Sequence, residues 1–327
     1  MALPETFTVP VDVALARPAA TIPSLVDAQA EPKLDGFRTV IVRDGDTRLW
    51  SRQKKELTQL FPEIVNAAAR MIPDGCVVDG ETVIWSGGRL SFDAMQRRMA
   101  RGERSAGELS RQEPASFAAF DLLAIPRHDI RRQLLRVRRE LLEELGKGWL
   151  PPLSVNSATR DPNEAAQWMG ALHSVGVEGL VIKALDGAYS GGRREWVKVK
   201  HRDTIDTIAG AVIGTRDRPQ ELVVGFRVNG KLRIAGRSSP LSPVQVRQLA
   251  PLLLPPLAAH PWPPVVKPGA ISHFSTMKDA IHLTLIEPMV VEVSADIAWS
   301  GESFRHSVRF LRARPDVDVW AVTIPAR

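Results

Sequence analysis

The sequence predicts an α+β fold in two parts, and three observations carry that prediction. Short apolar strands and amphipathic helices alternate from about residue 36 to residue 200. Beyond residues 201–205 the texture changes to short strands joined by turns. There Asn229-Gly230 stands between two alternating apolar runs, the strongest hairpin signal in the chain. At 327 residues the chain has room for two ordinary domains, and its 44% hydrophobic content suits a globular core.

In order, residues 1–30 are rich in Ala, Pro and Val with few charges, and read as an irregular segment packed on the body. Residues 36–43 read as a strand, Asp44-Gly45 as a hairpin turn and Arg48–Ser51 as the returning strand. Apolar positions at Leu57, Leu60, Phe61, Ile64, Val65 and Ala68 predict a helix over Leu57–Met71. Cys76–Trp85 reads as a buried strand and Ser91–Ala100 as a helix. Residues 97–111 read as an exposed loop or helix, and Phe117–Ile125 as a strand. Asp129 is placed to cap a helix running through Leu145, with Leu134, Leu135, Leu141, Leu142 and Leu145 inward. Asp161-Pro162-Asn163-Glu164 starts a helix to about His173. Gly179–Leu185 and Glu195–Lys200 read as strands, the second with Trp196, Lys198 and Lys200 on one face. After the boundary come strands at Ile208–Thr215, Glu221–Val228 and Lys231–Arg237, and a helix at Ser242–Leu254. A proline-rich connection then leads to strands at Met289–Ser294 and Ser307–Leu311. A small five-stranded barrel with one helix fits this second part.

Charge and cysteine use narrow the function. The net charge of +6 suits a polyanionic partner such as nucleic acid or a nucleotide. Cys76 is the single cysteine, which excludes a disulfide framework and a cysteine zinc site within the chain. The seven histidines form no H-x-x-x-H pair, and no apolar run approaches eighteen residues. A cytoplasmic location and no membrane partner are the expectation.

The chemistry centres on Glu31-Pro32-Lys33-Leu34-Asp35-Gly36-Phe37-Arg38. On an extended backbone positions i and i+2 share a face, so Lys33 and Asp35 are placed to point into one pocket. A lysine attacks an electrophile only when neutral, and burial with cationic neighbours raises the neutral fraction. Downstream follow Ser51-Arg52, Asp79-Gly80-Glu81, Phe120-Asp121, Glu178-Gly179-Leu180-Val181-Ile182-Lys183 and Trp196-Val197-Lys198-Val199-Lys200. The last segment is Phe304-Arg305-His306-Ser307-Val308-Arg309-Phe310-Leu311-Arg312-Ala313-Arg314-Pro315-Asp316. In order and spacing these resemble the motifs of ATP-dependent DNA ligases, of the small two-domain bacterial type, and of their covalent nucleotidyltransferase relatives. The resemblance spans about residues 28 to 318.

That resemblance implies an ATP-grasp-like nucleotidyltransferase domain over residues 1–202, with mixed and antiparallel sheets and flanking helices. A small OB-fold β-barrel over residues 203–327 would follow. It implies ATP as cosubstrate, Mg2+ (or Mn2+) as metal, and nicked double-stranded DNA with 3′-hydroxyl and 5′-phosphate ends as partner. The setting it implies is DNA repair; the sequence does not identify protein partners there. Lys33 would become a lysine–AMP phosphoramide, with Lys198 and Lys200 on the α-phosphate. Glu178 would hold the metal, Glu81 the ribose, and Phe120 would stack on adenine. Glu31, Arg38 and Lys183 would lie in the nucleotide pocket, and Arg38 and Arg52 would grip the nick's 5′-phosphate. Asp35 would orient groups around Lys33. Arg305 and Asp316 would act on the pyrophosphate end of ATP, with Arg312 and Arg314 in the same looser motif. A salt bridge on the strand is the reading for Asp79. Two departures from the family pattern stand out. Gln53-Lys54-Lys55 follows Ser51-Arg52 where many relatives have a glycine, and no lysine follows Asp316.

Two alternatives compete. An RNA ligase or a GTP-using capping enzyme shares the covalent chemistry, and a binding module for nicked DNA would keep the charge without it. The intact Lys33, Glu178 and lysine pair argue against the second.

Overall fold

Thirteen residues from Arg202 to Gly214 form one strand of the second of two compact units, Met1–His201 and Arg202–Arg327. The computed structural model describes residues 2–5, 7–271, 279–296, 299–300 and 302–325. Among these, no helix is long and apolar enough to cross a membrane.

The first unit is built on two sheets. The larger one runs Asp46–Ser51, Phe37–Asp44, Val77–Ser86, Ala115–Ile125, His128–Asp129, antiparallel throughout, with Leu153–Val155 added in parallel beside Ala115–Ile125. One of its faces packs on helices Pro62–Met71, Phe92–Arg101 and Leu135–Gly146 around Ile41, Leu49, Phe61, Ile64, Met95, Phe117 and Leu142. The smaller sheet has the order Ala16–Ala19, Trp196–Lys200, Gly179–Ala184, Ala28–Lys33. Its alternation sorts the chemistry. Ala28, Ala30, Leu180, Ile182, Val197 and Val199 go to one face, a core shared with Ala165. The opposite face carries Glu31, Lys33, Lys183, Trp196, Lys198 and Lys200 by the period of two.

The second unit is a five-stranded sheet of order Lys231–Arg237, Pro219–Val228, Arg202–Gly214, Thr284–Asp296, Arg309–Ala313. Its core gathers Ile208, Val212, Val223, Phe226, Leu249, Trp262, Ile286, Val291 and Phe310. Asn229 and Gly230 both take positive φ, 50° and 76°, as a tight turn between twisted strands requires. The helix there is Pro243–Leu249, opened by a reciprocal capping box between Ser242 and Gln245. It ends sooner than the apolar pattern suggests, because Pro251 follows and the chain tightens into a 3₁₀ turn over Ala250–Leu252.

Three sequence expectations need correction. The segment before residue 30 is irregular and packed on the body, as expected, except for two strands: Ala16–Ala19 pairs in parallel with Trp196–Val199, and the chain enters the Lys33 strand at Ala28. The helix expected from Leu57 starts at Pro62, because proline is favoured in the first turn; Thr58–Leu60 is a separate 3₁₀ turn. Asp129 caps no helix. Its carboxylate accepts from Arg131, the helix begins at Leu135 without a side-chain cap, and Leu134 is exposed rather than inward.

Candidate active site

The Lys33 strand, Ala28–Lys33, lies antiparallel to Gly179–Ala184, which lies antiparallel to Trp196–Lys200. Register sets two rows across these strands. Lys33, Gly179 and Lys200 share one row; Glu31, Val181 and Lys198 share the next. Only glycine fits at position 179. Its φ is +145°, and a Cβ there would lie 2.1 Å from the Val199 carbonyl oxygen. The close approach lets Glu178, one residue earlier and buried, reach both lysines of that row. Lys33 Nζ donates to one oxygen of Glu178, and Lys200 Nζ donates to the other at 3.3 Å.

The charges act on one another. Burial works to lower the Lys33 pKa. The charge and hydrogen bond of Glu178 outweigh it, with Glu81 and Asp35 adding to the effect, and the pKa lies above the ordinary lysine value. Lys198 shifts the other way: burial lowers its pKa, and the like charges of Lys33 and Lys200 lower it further. Glu81 is pushed up to about 8, first by burial and then by Asp35 and Glu178, against the pull of Lys33 and Arg38. The free site therefore holds one carboxyl group largely protonated at neutral pH, beside a protonated lysine.

A cavity of about 740 Å³ opens here, lined among others by Glu31, Lys33, Glu81, Phe120, Lys183 and Lys198. Its inner end is a buried polar assembly. Lys183 is 1% exposed, pairs with Glu31 at 2.8 Å and donates to the Phe120 carbonyl at 3.0 Å. Its ammonium also lies 4.5 Å from the Phe120 ring centre and 4.2 Å from that of Trp196. Gln29 donates to the second oxygen of Glu31 at 2.8 Å, so that carboxylate is fully held.

Arg38 lines the cavity but its donors are engaged. Its Nε donates to Asp79 at 3.0 Å and Nη1 to the Ala14 carbonyl at 2.6 Å, while Nη2 reaches both Asp79 and the Tyr189 hydroxyl. Tyr189 in turn donates to Asp79 at 2.6 Å. The guanidinium also lies about 5 Å from the ring centres of Phe120 and Trp196. In the free protein the Arg38 guanidinium is held in a fork on Asp79. Asp79 is the strand salt bridge the sequence suggested. Asp79→Ala would leave a buried guanidinium without its counter-charge, at a cost of ~3–5 kcal/mol. Denaturant unfolding of the first unit should show that loss, and a change below ~1 kcal/mol would contradict the role assigned to the pair.

The remaining expected residues are placed as follows. Asp35 sits in a bend after the strand has ended at Lys33, so the shared-face argument does not apply, although its charge acts on Lys33 and Glu81. Arg52 is exposed and lines the mouth of the cavity with Gln53 and Lys55. Arg305, a residue of the second unit, is buried. Asp316 accepts from Arg314, which also bonds Asp206.

Residues in the cavity wall and beside it escaped the sequence reading. Tyr189 is the only tyrosine, and its partner lies 110 positions away. Asn156 donates to the Pro32 carbonyl at 3.0 Å, beside Lys33. Asp12, Val13, Leu15 and Ala16 form a wall of the cavity, from a segment without a polar motif. Among the described residues, no group of three or more His, Cys, Asp or Glu side chains is arranged to hold a metal ion.

Comparison with known proteins gives a consistent result. Residues 14–200 match the family model described as ATP dependent DNA ligase domain. The chain is 34% identical over 315 residues to DNA ligase C2 of Mycolicibacterium smegmatis, covering 90% of this chain and 88% of that protein. It is 33% identical over 332 residues to DNA ligase C of Mycobacterium tuberculosis, covering 94% and 91%. Among solved structures, the ligase domain of M. tuberculosis LigD superposes with a TM-score of 0.50 at 26% identity, over 95% of this chain and 98% of that one.

Proposed function

Since this chain belongs to the ATP-dependent DNA ligase family, we propose that Lys33 is the residue its catalysis passes through and that the cavity beside it is the ATP site. The supporting observation is the row Lys33–Gly179–Lys200 with Glu178 bridging both amines. Lys33 Nζ attacks the α-phosphorus of ATP. The N–P bond forms as the bond to the β-phosphate oxygen breaks, pyrophosphate leaves, and the amine gives up its proton. The AMP then passes to the 5′-phosphate of a nick, and the 3′-hydroxyl displaces it, sealing the strand and releasing AMP.

The residues divide this work. Lys198 and Lys200 flank Lys33 and meet the negative charge on the α-phosphate oxygens. Glu81 receives the ribose hydroxyls, and in its protonated form the carboxyl both donates and accepts. Phe120 presents a ring to adenine, with Glu31 and Lys183 fixed at the inner end. Arg38, held by Asp79 beside the Phe120 and Trp196 rings, and Arg52 at the mouth receive the 5′-phosphate of the nick. Magnesium fits a site of this donor set, since it favours oxygen ligands and keeps several waters; Glu178 would hold it, and it would supply charge neutralisation at the phosphates. The second unit acts as an OB-fold barrel, whose Arg305 and Asp316 serve the β- and γ-phosphates. The net charge of +6 suits nicked duplex DNA held mainly through phosphates.

Arg305 separates the steps. Pyrophosphate is present only while Lys33 attacks ATP, so a group serving that end matters for the first step alone. Arg305→Ala is expected to lose self-adenylation and still seal a nick supplied already carrying AMP. Wild-type labelling, or equal failure on the pre-adenylated nick, would remove Arg305 from this role. Because Arg305 is buried, circular dichroism of the variant must first match that of the parent protein.

A further inference from the structure

Asp12, in the N-terminal wall of the cavity, pairs at 2.7 Å with Lys54, on the loop whose Arg52, Gln53 and Lys55 also line the cavity. Both side chains are open to water, at 70% and 45% exposure. Such a pair is worth ~0–1 kcal/mol, so it does little to hold the fold.

Two features of the backbone make it more than a chance surface contact. Lys54 has φ of +62°, a left-handed conformation that costs a non-glycine residue ~1–2 kcal/mol. The turn that imposes it is bonded at several points: Lys54 N to the Ser51 carbonyl at 2.9 Å, Ser51 N to the Lys55 carbonyl at 2.8 Å, and Lys55 N to Ser51 Oγ at 3.0 Å. The loop therefore projects Lys54 from a fixed and strained position, where glycine would be more comfortable. On the other side Asp12 is seated just as firmly. A Cβ on Gly191 would come within 2.4 Å of the Asp12 carbonyl oxygen, and Gly192 N bonds the Val13 carbonyl at 2.9 Å. A lysine is thus held beside Arg52 and Lys55, at the mouth where a DNA strand must approach Lys33, and a carboxylate meets its ammonium.

We propose that Lys54 binds a phosphate of the DNA strand at the cavity mouth, and that Asp12 is an intramolecular competitor for it in the free protein. The proposal rests on the ligase reading above. A DNA phosphate replaces the Asp12 carboxylate with an acceptor of the same sign, and the solvated pair is weak enough to yield. The carboxylate then lowers affinity for any polyanion that fails to place a phosphate there.

The test is a double-mutant cycle on the full chain. Binding is measured to a fluorescent duplex with one nick, a 5′-phosphate and a 3′-dideoxy end that prevents sealing. Lys54→Gln should weaken binding about three- to tenfold at low salt and reduce the slope of log affinity against log salt by about one. Asp12→Asn should tighten it about two- to fivefold, and that gain should vanish in the Lys54→Gln background. An equal gain in both backgrounds would show bulk charge alone, and unchanged affinity in Lys54→Gln would remove the contact; either overturns the proposal. Covalent labelling with AMP is followed in the parent protein in parallel. Its absence would fail the ligase reading itself, a result distinct from failure of the Asp12–Lys54 competition.

Discussion

Lys33→Arg should abolish covalent labelling by ATP, a loss of at least about a thousandfold. The substitution keeps the positive charge next to Glu178, so the buried carboxylate is not left unpaired. Arginine stays protonated at any pH the protein survives and offers no lone pair to phosphorus. The variant should therefore fold, retain binding to nicked DNA and fail only in the chemistry. It should also fail to seal an ordinary nick from ATP. Residual labelling near the parent rate would place the nucleophile elsewhere, with Lys198 or Lys200 the next candidates by position.

The second large effect concerns Glu178. In the free protein this residue keeps the proton on Lys33, and that form is unreactive. Below a raised pKa the neutral amine falls about tenfold per pH unit, so self-adenylation should rise with pH through neutrality into the alkaline range. Glu178→Gln removes the largest opposing charge and its hydrogen bond; burial, which favours the neutral amine, is then opposed only by the smaller effects of Glu81 and Asp35. The Lys33 pKa must then fall and the rising limb must move to lower pH. The rate at the plateau should still drop about a hundredfold or more, because the carboxylate that orients Lys33 and Lys200 is gone. Single-turnover labelling at saturating ATP, from acid to alkaline pH, separates the two effects. A lowered plateau with an unmoved limb would mean that Glu178 does not control the Lys33 proton.

Much of this site is legible in the sequence because it follows strand alternation. Trp196, Lys198 and Lys200 share a face for reasons of period alone, and they line up beside Lys33 through the register of one antiparallel strand. The Asn229-Gly230 turn and the strand Lys231–Arg237 are local features, and local chemistry decides them. Contacts set by distant parts of the chain are not legible in that way. The fork of Arg38 on Asp79 becomes visible only when Phe37–Asp44 is placed against Val77–Ser86 and the Asp79 carboxylate comes within reach. The Ala16–Ala19 strand has no alternation of its own, because it is a parallel edge strand whose pairing comes from Trp196–Val199. Asp129 has the right chemistry for a helix cap, but Arg131 two residues on offers a stronger charged partner.

One amine, Lys33 Nζ, is expected to carry AMP during the reaction. Peptide mapping by mass spectrometry tests it most directly, after incubation of the protein with ATP and magnesium and removal of free nucleotide. A single AMP adduct is expected, on the peptide containing Lys33, and it should disappear when pyrophosphate or nicked DNA is added. An adduct on Lys198, Lys200 or any other residue, or none under conditions where the same sample seals nicks, would contradict it.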